Sequence, residues 1–356
     1  MEINKCGKPE KTAPLPVVPA QEETPLTEHS YNEPTDIEQS HPVLSHVKLS
    51  PAELSLEDLT APLETETENI AAEVSDTEKI GEKILMMFTG NKITLAAAIV
   101  LALLALVAIF AGFVAPHPPN EMFKGESLKQ PSLLFPLGTD QYGRCVLSRI
   151  IYGSRISLVV GFLPTIVSMT IGVILGLTSG FFGGKVDFII MRFTDMVMSL
   201  PSLLLTLLIV FVFDPSIMLL FVAMSIASWP GTARIVRSQA LAFKEKEFVE
   251  AARAVGVSRL MIMLKHIFPN CLPTLVVLFT MSVPNNIMVE SGLAFLGLGI
   301  PPPTASWGSL INNLRSRIDI IPVSALAPGL FILLTVMAFN FLGDGLRDAI
   351  DPYMKE

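Results

Sequence analysis

The hydrophobic pattern divides the chain into a polar front end and a body of long apolar runs. Ile93 to Val114, ITLAAAIVLALLALVAIFAGFV, is 22 positions without a charge. As a helix this run reaches about 33 Å, enough to cross the hydrocarbon core of a bilayer. Ile156 to Gly184 adds 29 uncharged positions. Four more spans are predicted at about Ile189–Phe213, Ser216–Ala233, Cys271–Val289 and Ile320–Leu342, with a tight turn at Asp214–Pro215. Arg192 and Asp195 fall near one end of the third span, within reach of the interface. Pro273 and Pro284 in the fifth span, and Pro322 and Pro328 in the sixth, predict kinks or irregular ends where helices line a cavity. The expected fold is an all-α membrane protein with six transmembrane helices.

Residues 1–83 differ in kind, with nine prolines, runs of Glu, Thr and Ser, and no sustained apolar periodicity. Such a stretch has too little apolar surface to offset its ordering entropy, so a disordered, acidic, Pro-rich tail is expected. One short helix is predicted within it near Pro51–Leu59, capped by Ser50. The first 30 residues lack the continuous apolar run of a signal peptide. The predicted organisation is therefore 1–83 as tail, 84–155 as the first transmembrane helix with an extracytoplasmic loop, and 156–356 as the transmembrane core.

Composition agrees: of 356 residues 51% are hydrophobic and 16% charged, with a mean hydropathy of +0.55. The formal charge of −8 is an average over unlike parts, since residues 1–83 hold 18 Asp/Glu against 6 Lys/Arg and the remainder 15 against 19. This excludes a secreted scaffold and a basic nucleic-acid binder. Cys6, Cys145 and Cys271 lie too far apart for a disulfide framework or a metal site, and His117 and His266 have no second ligand at helical spacing. Six spans put both termini on one side. With the tail inside, inner segments from Lys79 to the C-terminus carry 14 Lys/Arg and outer ones 7, the bias that sets orientation in membranes. Cys6 is then cytoplasmic, Cys145 outside, and Cys271 at the inner end of the fifth span.

No span carries an ionisable residue near its centre, where one costs about 2.5–3.5 kcal/mol and marks a proton or ion relay. That argues against a proton-driven secondary transporter. An intramembrane enzyme is equally unsupported, because the spans hold no paired carboxylates and no Ser/His/Asp set. Gly183-Gly184-Lys185 is followed by Val186 and preceded at the required distance by Ser179, so it is no phosphate-binding loop. Energy has to come from another chain.

Two features invite attention. Gly172, Gly176 and Gly180 repeat every four residues, placing small residues on one helix face where backbones can approach closely. The segment 234–270 is too long for a simple connection and reads as two short helices meeting at Gly256. Phe248, Ala252 and Val255 define its apolar face, Gly256 the C-terminal stop, and Ser258 the next N-cap. Glu290 at the end of the fifth span is expected to snorkel to the interface, and Trp307 to serve as an interface anchor.

At segment 234–270 a family resemblance appears. Glu250-Ala251-Ala252, three residues, Gly256, ten residues, then Ile267-Phe268-Pro269-Asn270 resembles the EAA loop of binding-protein-dependent ABC importer permeases, with Phe268 where the family usually has Leu. Leu137-Gly138-Thr139-Asp140-Gln141-Tyr142-Gly143-Arg144, Ser148 to Arg155, Ser306-Trp307-Gly308 and Gly343 to Asp348 are similar to the peptide/nickel subfamily, in its C-type subunit with a long first external loop. Cys145 stands where that subfamily commonly has Asp. The resemblance covers about residues 84–354 and nothing of the tail. It implies the type I ABC importer permease fold in a bacterial cell membrane, both termini cytoplasmic. It also implies a coupling role for Glu250, Ala251, Ala252, Gly256, His266, Pro269 and Asn270. The partners implied are a second permease, two cytoplasmic ATPase subunits that use ATP and Mg, and an extracytoplasmic binding protein. No cofactor is expected on this chain. The implied cargo is di- or oligopeptides, with nickel complexes or other small solutes as the alternative.

Overall fold

The computed structural model describes residues 91–213 and 216–350; the expectations for the tail at 1–83, the helix near Pro51–Leu59, Cys6 and the Asp214–Pro215 turn lie outside these residues. The described residues are helical apart from loops and one isolated bridge between Thr139 and Cys145.

Helix α1, Lys92–Ile109, starts where Asn91 Oδ1 accepts from the Ile93 and Thr94 N–H groups at 3.0 and 3.4 Å. It breaks at Phe110 before a single further turn, Ala111–Val114. Helix α2, Val146–Phe182, begins ten residues before the predicted span. The charges that suggested a boundary are accommodated across the chain instead. Arg155 donates to the Ala108 and Ile109 carbonyls, the latter at 2.7 Å, satisfying groups the end of α1 leaves bare. Arg149 reaches Pro119 O at 3.3 Å and Asn120 Oδ1 at 3.2 Å.

The predicted third span is two helices, α3, Gly184–Met198, and α4, Ser202–Val212, bent by 78° to one another. Pro201 at the break offers no N–H and disfavours helical backbone at Leu200. Helix α5, Ile217–Lys244, runs well past the predicted end at Ala233. Its charges too are paired: Arg237 forks onto Asp187 of α3, with Nη2 to Oδ2 at 2.6 Å, and Arg234 Nη2 meets Asp195 Oδ1 at 2.8 Å. The short helix α6, Glu247–Ala254, follows. Helix α7, Phe268–Phe295, contains Pro273 and Pro284, and a short α8, Trp307–Leu314, packs beside it. Helix α9, Pro322–Ile350, holds Pro328 internally. Pro322 is its first residue, where a missing N–H costs nothing, so it starts the helix rather than kinking it. Five of these helices are long and apolar enough to cross a membrane, six if the bent α3–α4 pair counts as one.

Close packing of α2 on α5 centres on the glycine series. A Cβ on Gly172 would lie 2.7 Å from Thr232 Cβ, on Gly176 2.5 Å from Ala233 O, and on Gly180 2.7 Å from Ala240 Cβ. One buried cluster, with Leu177, Phe181, Val236, Ile262 and Ile267, lies at the α6 end of the pair. Another, around Ile150, Ile287, Trp307, Leu310 and Phe339, lies toward α8.

Candidate functional site

Helix α6 is seated by two side chains. Val249 and Ala252, three positions apart, are buried in the cluster formed with α2, α5 and the start of α7. Glu247, Glu250, Ala251, Arg253 and Ala254 are exposed. The predicted apolar face of Phe248, Ala252 and Val255 is therefore corrected: Phe248 is half-buried and Val255 is 85% exposed. The helix ends at Ala254, so Val255 never completes the stripe.

What ends it is a two-bond C-cap. Gly256 N–H donates to Arg253 O at 3.0 Å and Val257 N–H to Ala252 O at 3.0 Å, with Gly256 at φ +85°. An L side chain at this φ is strained, although nothing lies within 4 Å of the space a Cβ would fill. The turn leaves Glu250, Ala251 and Val255 on a projecting knob, small in the middle and charged at the rim. Ser258 Oγ then accepts from Met261 N–H at 3.4 Å and starts the next helical segment. The expected second short helix is only Arg259–Met261, and it runs straight through a π-helical stretch, Ile262–Ile267, into α7. His266, Pro269 and Asn270 lie along this connection rather than on the knob.

Beside it a groove of about 680 Å³ separates α2 from α7, lined by Ile166, Val173, Leu177, Leu272, Val276 and Phe279 among others. Its threonines turn their hydroxyls inward: Thr170 donates to Ile166 O at 2.7 Å, Thr178 to Ile174 O at 2.7 Å and Thr280 to Val277 O at 2.8 Å. The wall therefore presents carbon, and it bears no charge.

At the opposite end two expectations are corrected. Trp307 is fully buried, its Nε1 donating to Ile150 O at 3.1 Å and its backbone N–H to Ser157 Oγ at 3.0 Å. An anchor in the interface would keep its N–H toward water. Glu290 is 1% exposed instead of snorkelling, because Ser306 brings a hydroxyl to it and Gly308 lets α8 lie directly against it. Cys145 is buried at the start of α2 and Cys271 early in α7. Among the described residues no group of three or more His, Cys, Asp or Glu could hold a metal ion.

Sequence reasoning picked out Leu137–Arg144 by resemblance alone and missed how its residues order the loop between α1 and α2. Asp140 is buried and accepts from the Tyr142 and Arg144 N–H groups at 2.9 and 3.0 Å and from Arg144 Nε at 2.7 Å, with Arg149 Nε at 3.9 Å. His117 packs against Phe123 and Phe135, centroids 5.0 and 5.2 Å apart from its ring. The signal available was the pair Asp140 and Arg144 at i, i+4, with Gly138 just before the pair and Gly143 within it.

A family model described as the binding-protein-dependent transport system inner membrane component matches residues 172–356. A second, the N-terminal TM domain of oligopeptide transport permease C, matches residues 82–131. An oligopeptide transport system permease protein of Haemophilus influenzae is 41% identical over 74% of this chain and 86% of its own. A di/tripeptide transport system permease protein of Pseudomonas aeruginosa is 39% identical over 75% of this chain and 90% of its own. A glutathione transport system permease protein of Pectobacterium atrosepticum is 39% identical over 75% and 89% respectively.

Proposed function

The chain belongs to the family of binding-protein-dependent transport system inner membrane components, and from that premise we propose that it forms, with a second permease, the route by which di- or oligopeptides enter the cell. It is a permease subunit of an ABC importer of the peptide or glutathione type, a transport component rather than an enzyme, and it resides in the cell membrane.

The observation that carries the finer reading is the α6 knob. A helix of eight residues, pinned by Val249 and Ala252 and stopped by Gly256, presents Glu250, Ala251 and Val255 away from the apolar body. That is the shape required of an element that enters a groove on a partner and transmits its movement. In this proposal Glu250, Ala251, Ala252 and Gly256 form the ATPase-docking element, and His266, Pro269 and Asn270 join it to the fifth span. Two cytoplasmic ATPases bind ATP and Mg, close, and drive the coupling helices. The permease pair rocks between two states, opening the cavity first to the binding protein and then to the cytoplasm. The α6 end and both termini then face the cytoplasm, as the basic-residue bias supports.

Peptide cargo is supported by the names of the relatives and by the uncharged groove between α2 and α7, which offers nothing to select one side chain over another. Selection then rests with the binding protein. Proteoliposomes holding the permease pair, the ATPases and the cognate binding protein are tested with labelled di- and oligopeptides, and with glutathione and nickel as competitors. ATP-dependent peptide uptake that neither competitor reduces supports the reading. Uptake of glutathione or nickel without peptide overturns the cargo while leaving the family assignment intact.

A further inference from the structure

The path from the α6 knob to α7 passes through six consecutive residues, Ile262–Ile267, that are π-helical between two α-helical stretches. A π-helical stretch is rare, and in the middle of a helix it marks a place where one more residue is held per turn than the α-helix accommodates. Its surroundings are specific. Pro269 and Pro273 have no N–H, so a carbonyl one turn before each lacks its ordinary helical donor. Phe268 N–H donates five residues back, to Met263 O. Asn270 then turns its side chain toward the same stretch, its Nδ2 donating to His266 O at 2.7 Å.

The π stretch is also packed into the element that must move. Ile262, Met263 and Ile267 are buried in the cluster that contains Val249 and Ala252 of α6 together with Leu177, Phe181 and Val236. Leu264 and Lys265, on the other side, are exposed. A displacement of α6 therefore reaches α7 through this stretch. Re-pairing it from i→i+5 to i→i+4 bonds shifts the register by one residue, which turns one end against the other by roughly 100° and moves it by about 1.5 Å; Pro269 leaves one carbonyl without a backbone donor in either register, that of Leu264 in the π form and that of Lys265 in the α form.

We propose that Ile262–Ile267 is the hinge of the coupling movement and that Asn270 is the positioning residue that stabilises its π form, by supplying a side-chain donor to the His266 carbonyl. This rests on the α6 knob being the ATPase-docking element. On ATP binding the stretch re-pairs toward α-helix, and Asn270 releases His266 O.

The test separates donor chemistry from mere packing. Asn270→Asp keeps size and removes the donor; Asn270→Ser supplies a hydroxyl that can donate to the carbonyl four residues back. In the full complex with ATPases and binding protein, the quantity read is solute taken up per ATP hydrolysed. Asn270→Asp is expected to lower it roughly five- to tenfold, the scale one net hydrogen bond sets on a two-state equilibrium, and Asn270→Ser to restore it to within about twofold of wild type. Equal, wild-type-like ratios in both variants overturn the proposal. As a measurement independent of any variant, amide exchange across residues 262–270 of the wild-type complex is compared without nucleotide and with ATP trapped. A change in protection confined to this stretch and α6 supports the hinge, and unchanged protection overturns it. If the ATPases do not co-purify with the wild-type chain at all, the docking reading fails first. If they co-purify and both results above are negative, only the hinge fails.

Discussion

Ser306 Oγ donates to Glu290 Oε1 at 2.7 Å, joining the first turn of α8 to α7 with a carboxylate removed from water. The same Ser306 Oγ accepts from Ser309 N–H at 3.1 Å, while Ser309 Oγ accepts from Ser306 N–H at 2.9 Å. One hydroxyl thus serves as helix cap and as partner to the carboxylate, and Trp307 beside it ties the same turn to α2. The end of the molecule opposite α6 is consequently held by hydrogen bonds among three helices.

Removing that hydroxyl leaves Glu290 without its donor and α8 without its cap. Ser306→Ala is expected to destabilise the assembled permease by about 1–3 kcal/mol, whereas Glu290→Gln, which keeps an acceptor oxygen, costs clearly less. Thermal unfolding of the purified complex in detergent reads both. A Ser306→Ala protein as stable as wild type contradicts this account of the α7–α8 contact.

The glycine series yields a matched pair. Gly176→Val introduces atoms where even a Cβ meets Ala233 O at 2.5 Å, and about 1–3 kcal/mol of overpacking is expected with α2 and α5 forced apart. Gly231→Ala, in α5 with nothing within 4 Å of the new carbon, is expected to be neutral or to stabilise by up to about 1 kcal/mol. The same melting measurement compares them, and equal effects would mean the α2–α5 contact is not where the structure puts it.

Much of this architecture was legible in the pattern of apolar residues, because a bilayer demands long uncharged helices and Ile93–Val114 can be little else. The ends of the helices were not. Arg155 and Arg234 border the predicted spans, and Arg149 and Arg237 lie beyond them, yet each is satisfied by a group 29 to 50 residues away, a relation no local window contains. Trp307 and Glu290 failed for the same reason, since their partners Ile150, Ser157 and Ser306 belong to other elements. Gly256 and Ser258 succeeded because a helix stop and an N-cap are local events. The π stretch needed coordinates, although Pro269 and Asn270 side by side were its trace in the sequence.

Orientation is tested with exposed reporters. Cys145 and Cys271 are both buried, so neither native thiol reports the side of the membrane on which it lies. Leu133, exposed in the loop between α1 and α2, and Val255 on the α6 knob are suitable positions. In a Cys6→Ser background, an impermeant thiol reagent added to intact cells is expected to label Leu133→Cys, and to reach Val255→Cys only after permeabilisation. Labelling of Val255→Cys from outside would invert the proposed topology and put the knob beyond the reach of a cytoplasmic ATPase.

If the α6 knob couples ATP hydrolysis to transport, peptide uptake per ATP hydrolysed must fall in complexes carrying Glu250→Lys or Gly256→Pro. Glu250→Lys reverses the charge on the exposed face, and Gly256→Pro demands a negative φ where the chain holds +85° and removes the N–H that bonds Arg253 O. Both proteins are expected to insert into the membrane at normal levels while uptake per ATP falls roughly tenfold or more, the scale on which single residues matter in protein interfaces. Wild-type uptake per ATP in both variants, with the ATPases still bound, would contradict the assignment of α6 as the coupling element.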